Sequence, residues 1–417
     1  MLVASASTST NPKKPLNKTY ESDIKRSIQY SRWFLNILGV WPMISKSAST
    51  PQKIFSKIII VFCFIALDFI LVPVSLDTIL REKNALVKLT RFLGPISASL
   101  SSVTKYVFLL IRCKNIRLCM EHMESDWMTV EKENERAIMI SNVNVGRKIT
   151  INACALIYTG ITFWLSISPL LMATKINERN ETIRPLPHPG YDLFVNTQKS
   201  PTYEIIYFTI CATGLLRYTV TMTACNFAAM IVSHACGQIQ IVMARLECLF
   251  DEIEGEKNND VLQGRISSIV HCHVRGLRLS TRIDDVLREM CFIEVVTSTL
   301  VMCNFTYNIQ TGFQNNQTVL IMVNFLLLIS YILNLFIFCY IGELLKEQYY
   351  EVGKSTYFID WQKFPGKSGL AVVLIIAMAN VPRKITAGQM MELSMDTFGL
   401  IMRTSAAYLN MMIAMTD

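Results

Sequence analysis

Long apolar blocks separated by short polar connections dominate the chain. Six such blocks occupy residues 57–79, 85–111, 149–173, 202–232, 290–312 and 318–342. Each is close to the roughly 20 residues an α-helix needs to cross a bilayer. A seventh is interrupted. The apolar stretch 370–379 is too short to span, and Pro382 then removes a backbone donor and disfavours helix at the residue before it. A further segment restarts near Thr386 and runs to Met415. This pattern predicts an all-α membrane protein of seven transmembrane helices, the last broken at Pro382.

The polar connections set the organisation. Residues 1–56 read as a cytosolic leader ending in a short amphipathic helix around Trp33, Phe34, Ile37 and Trp41, aromatics suited to a membrane surface. Helices 1–4 then fill 57–232, with a proline-rich external loop at 174–201. Residues 233–289 read as a cytosolic helical region, 290–342 as helices 5 and 6, 343–380 as a second cytosolic segment, and 381–417 as the seventh helix. The leader and the second, fourth and sixth connections hold roughly 26 lysines and arginines, several times the number on the alternate connections. Basic residues stay on the cytosolic side, so the N-terminus is expected inside and, after seven crossings, the C-terminus outside. Asn180 and Asn316 head glycosylation sequons in the expected external loops. Asn17 and Asn304 head sequons too, inside and within a span, so the motif alone carries little weight.

Composition agrees. Of 417 residues, 51% are hydrophobic and 17% charged, with mean hydropathy +0.34, against about a quarter charged in an ordinary soluble domain. The first residues are polar and basic, without the apolar core of a cleaved signal peptide. Twelve cysteines lie in apolar blocks or in expected cytosolic loops, where they read as small hydrophobes or reduced thiols. His271-Cys272-His273 lacks a second ligand pair at metal spacing and reads as a solvated helix face. No nucleophile triad, metal constellation or phosphate loop appears, so neither an enzyme nor a cofactor is expected. A transporter is opposed by the lack of an internal repeat.

The C-terminal stretch carries the most specific signal. It reads Pro382, then Thr386-Ala387-Gly388, Leu393-Ser394, Thr397-Phe398, and Arg403-Thr404-Ser405 leading to Tyr408. About ten positions at fixed spacing are more specific than one short motif, and the stretch resembles the C-terminal signature of insect odorant receptors. Length, span number and expected orientation extend the resemblance over most of the chain. It implies a ligand-tuning, hymenopteran-type subunit of an odorant-gated, non-selective cation channel, assembled as a heterotetramer with the odorant co-receptor in the plasma membrane of a sensory neuron dendrite. The co-receptor's longer second cytosolic loop is absent here. Gustatory receptors of the same superfamily usually end in Thr-Tyr and Gln-Phe motifs not found in this chain. A G-protein-coupled receptor would have the opposite orientation, and its Asp-Arg-Tyr and Asn-Pro-x-x-Tyr motifs are also missing.

Candidate working parts follow. At helical spacing Thr397, Leu400, Thr404, Tyr408, Met411 and Met415 share a face of the last helix. The resemblance points to Thr404, Asn410, Met411 and Met415 as pore and gate, the methionines forming an apolar constriction that gates by dewetting; simple core filling is the plainer reading. Ile239, Val242, Leu246 and Leu249 make a 3-4-3 seam. With Tyr357 and Trp361 they are candidates for a subunit anchor, against the alternative of packing within one subunit. Charges inside spans mark function by default. Lys105 and Glu294 are expected to snorkel to cytosolic ends, and Arg217 to face a water-filled vestibule or pair with Asp68, the structural ion pair being the plainer reading. The resemblance puts a pocket for small volatile apolar ligands in the external halves of helices 2, 3, 4 and 6. Residues at that depth are Phe92, Ile157, Gly160, Phe163, Trp164, Tyr207, Cys211, Met322 and Phe325, with Trp164 foremost beside the space left by Gly160.

Overall fold

The computed structural model describes residues 16–171, 175–176, 182–184, 186–250, 259–361, 364, 369–381 and 383–414. Twelve α-helices make up nearly all of them. Near the start lie α1 (Tyr20–Ile37) and α2 (Trp41–Ile44). The first long apolar helix is α3 (Thr50–Leu80), whose start is fixed by a capping box in which the Ser49 backbone N–H donates to Gln52 Oε1 at 3.0 Å. Next come α4 (Ala85–Arg91), a π-turn (Phe92–Ile96) and α5 (Ser97–Ile111). Pro95 sits inside the π-turn, where its missing N–H breaks the regular ladder. Gly94 lets the turn close on Asn304, because a Cβ there would overlap that residue's amide.

The polar connection after α5 is itself a helix, α6 (Cys113–Thr129), followed by α7 (Glu133–Leu171). Three long helices form the centre: α8 (Thr202–Glu247), α9 (Asn259–Gln314) and α10 (Thr318–Tyr357). Of these α8 is the core element. Fully 83% of its most apolar stretch is buried, against 28–44% in the other four helices long and apolar enough to cross a membrane: α3, α4–α5, α7 and α10. The fifth and seventh expected spans are also helical, as the second half of α9 and as α12 (Met395–Ala414), outside those five. The expected divisions at 232/233 and 289/290 fall inside α8 and α9, which run on without a break.

The C-terminal part departs from expectation in one respect. Helix α11 (Gly369–Ala379) ends before the signature, as expected; Pro382 lies outside the described residues. The chain does not resume helix at Thr386, however. Thr386–Ala387 pairs antiparallel with Met391–Glu392 in a tight hairpin, and α12 starts only at Met395. The reason is local: Gly388 has φ +63°, a left-handed conformation glycine adopts without strain, and a Cβ there would press on the Phe292 ring at 3.0 Å. The hairpin docks on α9. Asp284 Oδ1 accepts from the Thr386 N–H at 2.7 Å and its hydroxyl at 2.9 Å, and Gly388 N–H donates to Arg288 O at 2.9 Å. Ser394 Oγ then accepts from the Thr397 N–H at 3.2 Å, capping α12. Four residues of the C-terminal signature, Thr386, Gly388, Ser394 and Thr397, are thus spent on a turn, a dock and a helix cap.

Candidate ligand cavity and terminal helix

Midway along the bundle, α5, α7, α8, α9 and α10 enclose a small cavity of ≈ 30 Å³, lined by Ala98, Ser101, Ser102, Lys105, Ile157, Arg217, Tyr218, Thr221, Glu294, Thr297, Ser330, Tyr331 and Asn334. That is room for about two water molecules. Its floor is ionic. Lys105 and Glu294, 3% and 2% exposed, form a direct ion pair. Glu294 Oε1 also accepts from Asn334 Nδ2 at 2.6 Å and from Ser298 Oγ at 3.0 Å. The expected snorkelling of Lys105 and Glu294 is therefore corrected: each cancels the other's charge in the interior, which makes burial tolerable.

Arg217 is likewise buried, at 9% exposure, but its setting differs. It donates to Ser99 Oγ at 3.1 Å and lies 5.4 Å from the Tyr218 ring centroid. Asp68 is exposed on α3, and the expected Arg217–Asp68 ion pair does not form. Among the described residues no carboxylate pairs with Arg217.

Of the nine residues expected around a ligand, one lines this cavity and a second packs against its lining. Ile157 lines it, and Gly160, one turn outward on α7, faces Ser330: a Cβ on Gly160 would stand 2.7 Å from Ser330 Oγ. Further outward, Phe163, Trp164, Tyr207 and Cys211 are half-buried. The Trp164 ring lies 5.3 Å from His188, and the Tyr207 hydroxyl donates to Leu165 O. His188 belongs to the loop before α8. Burial, aided by the charge of Arg217, pushes its imidazole down to about 3, so it stands neutral over this end of the bundle. Phe92, Met322 and Phe325 turn more than half their surface out of the chain and do not line the cavity. Most lining residues that sequence reasoning missed are polar, among them Ser101, Ser102, Thr221, Thr297, Ser330 and Asn334. The signal for part of this set was the serine run Ser97–Ser102 ahead of Lys105, since polar side chains within a span turn inward.

Deeper toward the polar end, Asp126 of α6 joins α8 and α9. Its carboxylate meets His234 Nε2 at 2.9 Å and accepts from Arg275 Nε at 2.5 Å. Burial alone would raise the Asp126 carboxyl; its hydrogen bond and charge contact with His234, with Arg275 beside them, hold it below the usual carboxylate range. Burial, with Arg275 nearby, also pushes His122 down to about 4. His273 is 2% exposed, 6.3 Å from the Tyr349 ring, which corrects the reading of 271–273 as a wholly solvated face; His271 alone is exposed.

The 3-4-3 seam is consumed within the subunit. Ile239, Val242, Leu246 and Leu249 are each at most 2% exposed, so they are unavailable to a second chain. The stripe buries in this chain because α7, α9 and α10 all pack on α8. Tyr357 and Trp361, by contrast, are 57% and 51% exposed. On α12, Thr397 faces inward at 8% exposure, whereas Leu400, Tyr408 and Met411 are 59%, 46% and 54% exposed; Thr404 is half-buried and Asn410 exposed. Met415 lies outside the described residues. Asn316 stands exposed in the turn between α9 and α10; Asn180 lies outside the described residues.

Comparison with known proteins accounts for this architecture. The sequence is 21% identical over 284 residues to odorant receptor 10 of Aedes albopictus, covering 66% of this chain and 68% of that one. It is 26% identical over 239 residues to odorant receptor 9a of Drosophila melanogaster, 54% of this chain and 55% of the relative, and 20% identical over 399 residues to odorant receptor 13a of the same species, 91% and 93%. The fold is similar to that of the olfactory receptor OR5 of the insect Machilis hrabei in complex with eugenol, with TM-score 0.75 at 15% identity, covering 95% of this chain and all of that one. The family profile described as 7tm Odorant receptor matches residues 86–406, so the chain belongs to the insect odorant receptor family.

Proposed function

We propose that this chain is the odorant-binding subunit of a ligand-gated, non-selective cation channel, assembled with the odorant co-receptor in the plasma membrane of sensory neurons. The observation that carries the reading is the cavity at Ile157, Gly160 and Ser330, walled by five helices of a fold similar to a eugenol-bound olfactory receptor. Small volatile ligands bind by burying apolar surface, and Phe163, Trp164, Tyr207 and Cys211 offer half-buried, mostly apolar surface further along α7 and α8. The nearly closed state holds too little space for an odorant. Binding would therefore favour a form in which the walls part, a population shift of the bundle.

In this reading seven helices cross the membrane with the N-terminus inside, and Asn316 and Asn180 are exposed to glycosylation. In a tetramer the exposed face of α12 lines the pore, with Thr404 and Asn410 along it and Met411 and Met415 as the gate. Exposed Tyr357 and Trp361 serve the subunit anchor. The test is whole-cell current during odorant application, with and without the co-receptor, with G-protein signalling blocked. A fast cation current that needs the co-receptor and survives the block is expected. A response abolished by the block overturns the channel mechanism.

A further inference from the structure

The lining of the cavity does not balance in charge. Lys105 and Glu294 neutralise each other, and Glu294 has its remaining acceptor positions taken by Asn334 and Ser298. That leaves Arg217. A guanidinium stays protonated in any protein setting and offers five N–H donors. Here it is nine-tenths buried, and among the described residues its one hydrogen bond goes to the neutral Ser99 hydroxyl, whose own proton is committed to Pro95 O at 2.7 Å. The Tyr218 face gives partial relief. A buried cation without an anion is costly, and the cost is removed by whatever brings a negative charge to it.

A second observation points the same way. Ser101, 4% exposed and lining the same cavity, has a hydroxyl with no hydrogen-bond partner. A free hydroxyl and an uncompensated guanidinium in the lining of one cavity are both donors, and both suit a carboxylate.

We propose that this receptor selects small apolar molecules bearing a carboxylate, the acid group held by Arg217 and Ser101. The proposal rests on the ligand-site reading above. The closed cavity has room for the head group alone, and the hydrocarbon tail follows Ile157 and Gly160 outward toward Trp164. Amines are rejected by charge. Neutral esters, aldehydes and alcohols of equal length satisfy donors but leave the positive charge uncompensated.

The test separates binding from gating. The full chain, purified with its co-receptor, is melted in the presence of straight-chain carboxylates from acetate to dodecanoate, and of the methyl ester, alcohol and amine of the best length. Carboxylates are expected to raise the melting temperature, with a half-saturating concentration about tenfold or more below that of the ester. Arg217→Met abolishes that preference, Arg217→Lys keeps part of it, and Ser101→Ala weakens acids about threefold or more, a larger loss than the ester shows, because a hydrogen bond to a charged acceptor is the stronger one. Should Arg217→Met fail to fold, the other two variants decide. The proposal is overturned if no carboxylate in the series shifts the melt, if the ester matches the acid, or if the acid preference survives in every folded variant. Currents are recorded with the same ligands. Acid binding without current would sink the channel reading and keep this one; current to neutral ligands alone would do the reverse.

Discussion

Lys105→Met probes the interior most directly. In the native chain Glu294 is met by three donors: Lys105, Asn334 and Ser298. Substituting methionine preserves most of the lysine stem's volume and removes only the charge. Glu294, 2% exposed, then keeps two neutral donors and loses its counterion. Breaking a buried pair in this way costs about 3–5 kcal/mol, because the surviving charge is left uncompensated. Glu294→Gln leaves the ammonium with Thr221 Oγ1 at 3.5 Å and should cost a similar amount. The double variant Lys105→Met/Glu294→Gln removes both charges and keeps an amide able to meet Asn334 and Ser298. It should lie within about 1–2 kcal/mol of wild type, so the two changes couple by several kcal/mol. The assay is a thermal melt of detergent-solubilised protein for the four members of the cycle, with surface delivery measured in parallel. Additive losses, with the double variant as unstable as the sum of the singles, would refute the claim that mutual neutralisation is what makes these charges tolerable.

Other perturbations have equally definite outcomes. Gly160→Ala pushes a methyl toward Ser330 Oγ, and rotating that hydroxyl sacrifices its 3.0 Å bond to Leu326 O; several-fold weaker responses to long ligands, with normal surface levels, are expected in dose–response currents. Gly388→Ala imposes a side chain at φ +63° against the Phe292 ring and should cost about 1–3 kcal/mol, read as lost melting temperature; unchanged stability would remove the hairpin from the account. Asp23 is held below the ordinary carboxylate range chiefly by its two hydrogen bonds from Arg136, at 2.8 and 2.9 Å. Its folded value lies below the unfolded one of about 3.9, so the contribution of about 1 kcal/mol is complete above that pH and fades as pH falls through the folded value. The melting-temperature gap between wild type and Arg136→Met should accordingly close below about pH 4, and a gap that is constant from pH 3 to 7 would contradict it. Asn316→Gln should remove an endoglycosidase-sensitive mobility shift from protein made in insect cells.

The apolar blocks were legible because long spans must be apolar throughout, whatever their neighbours. Helix ends were harder. Nothing in the residues around Val232 or Met290 marks where α8 and α9 leave an apolar environment, because both continue unbroken into a polar one. The seam Ile239–Leu249 had the period of an association surface, and period cannot tell whether the partner helix lies on the same chain. The cavity was half legible. Gly160 and Ile157 stood out as a gap beside an apolar face, whereas Lys105 and Glu294 are 189 residues apart and only packing joins them. Phe92, Met322 and Phe325 lie several residues along their helices from the lining and turn outward, and short stretches of apolar spans do not encode which way a side chain turns. The C-terminal signature was the clearest motif and the least transparent in meaning, since its residues build a turn and a cap.

The unbroken course of α9 makes it a rod with attachments at two heights. Glu294 and Thr297 belong to the cavity wall, while Asp284 and Arg288 hold the hairpin from which α12 springs. Ten residues separate Asp284 from Glu294, about 15 Å of helix rise. No loop or glycine hinge intervenes to absorb a displacement. A twist or lean of the rod at the upper fastening must reappear at the lower one, as turning a key at the bow turns the bit, and the root of the final helix is what the bit engages.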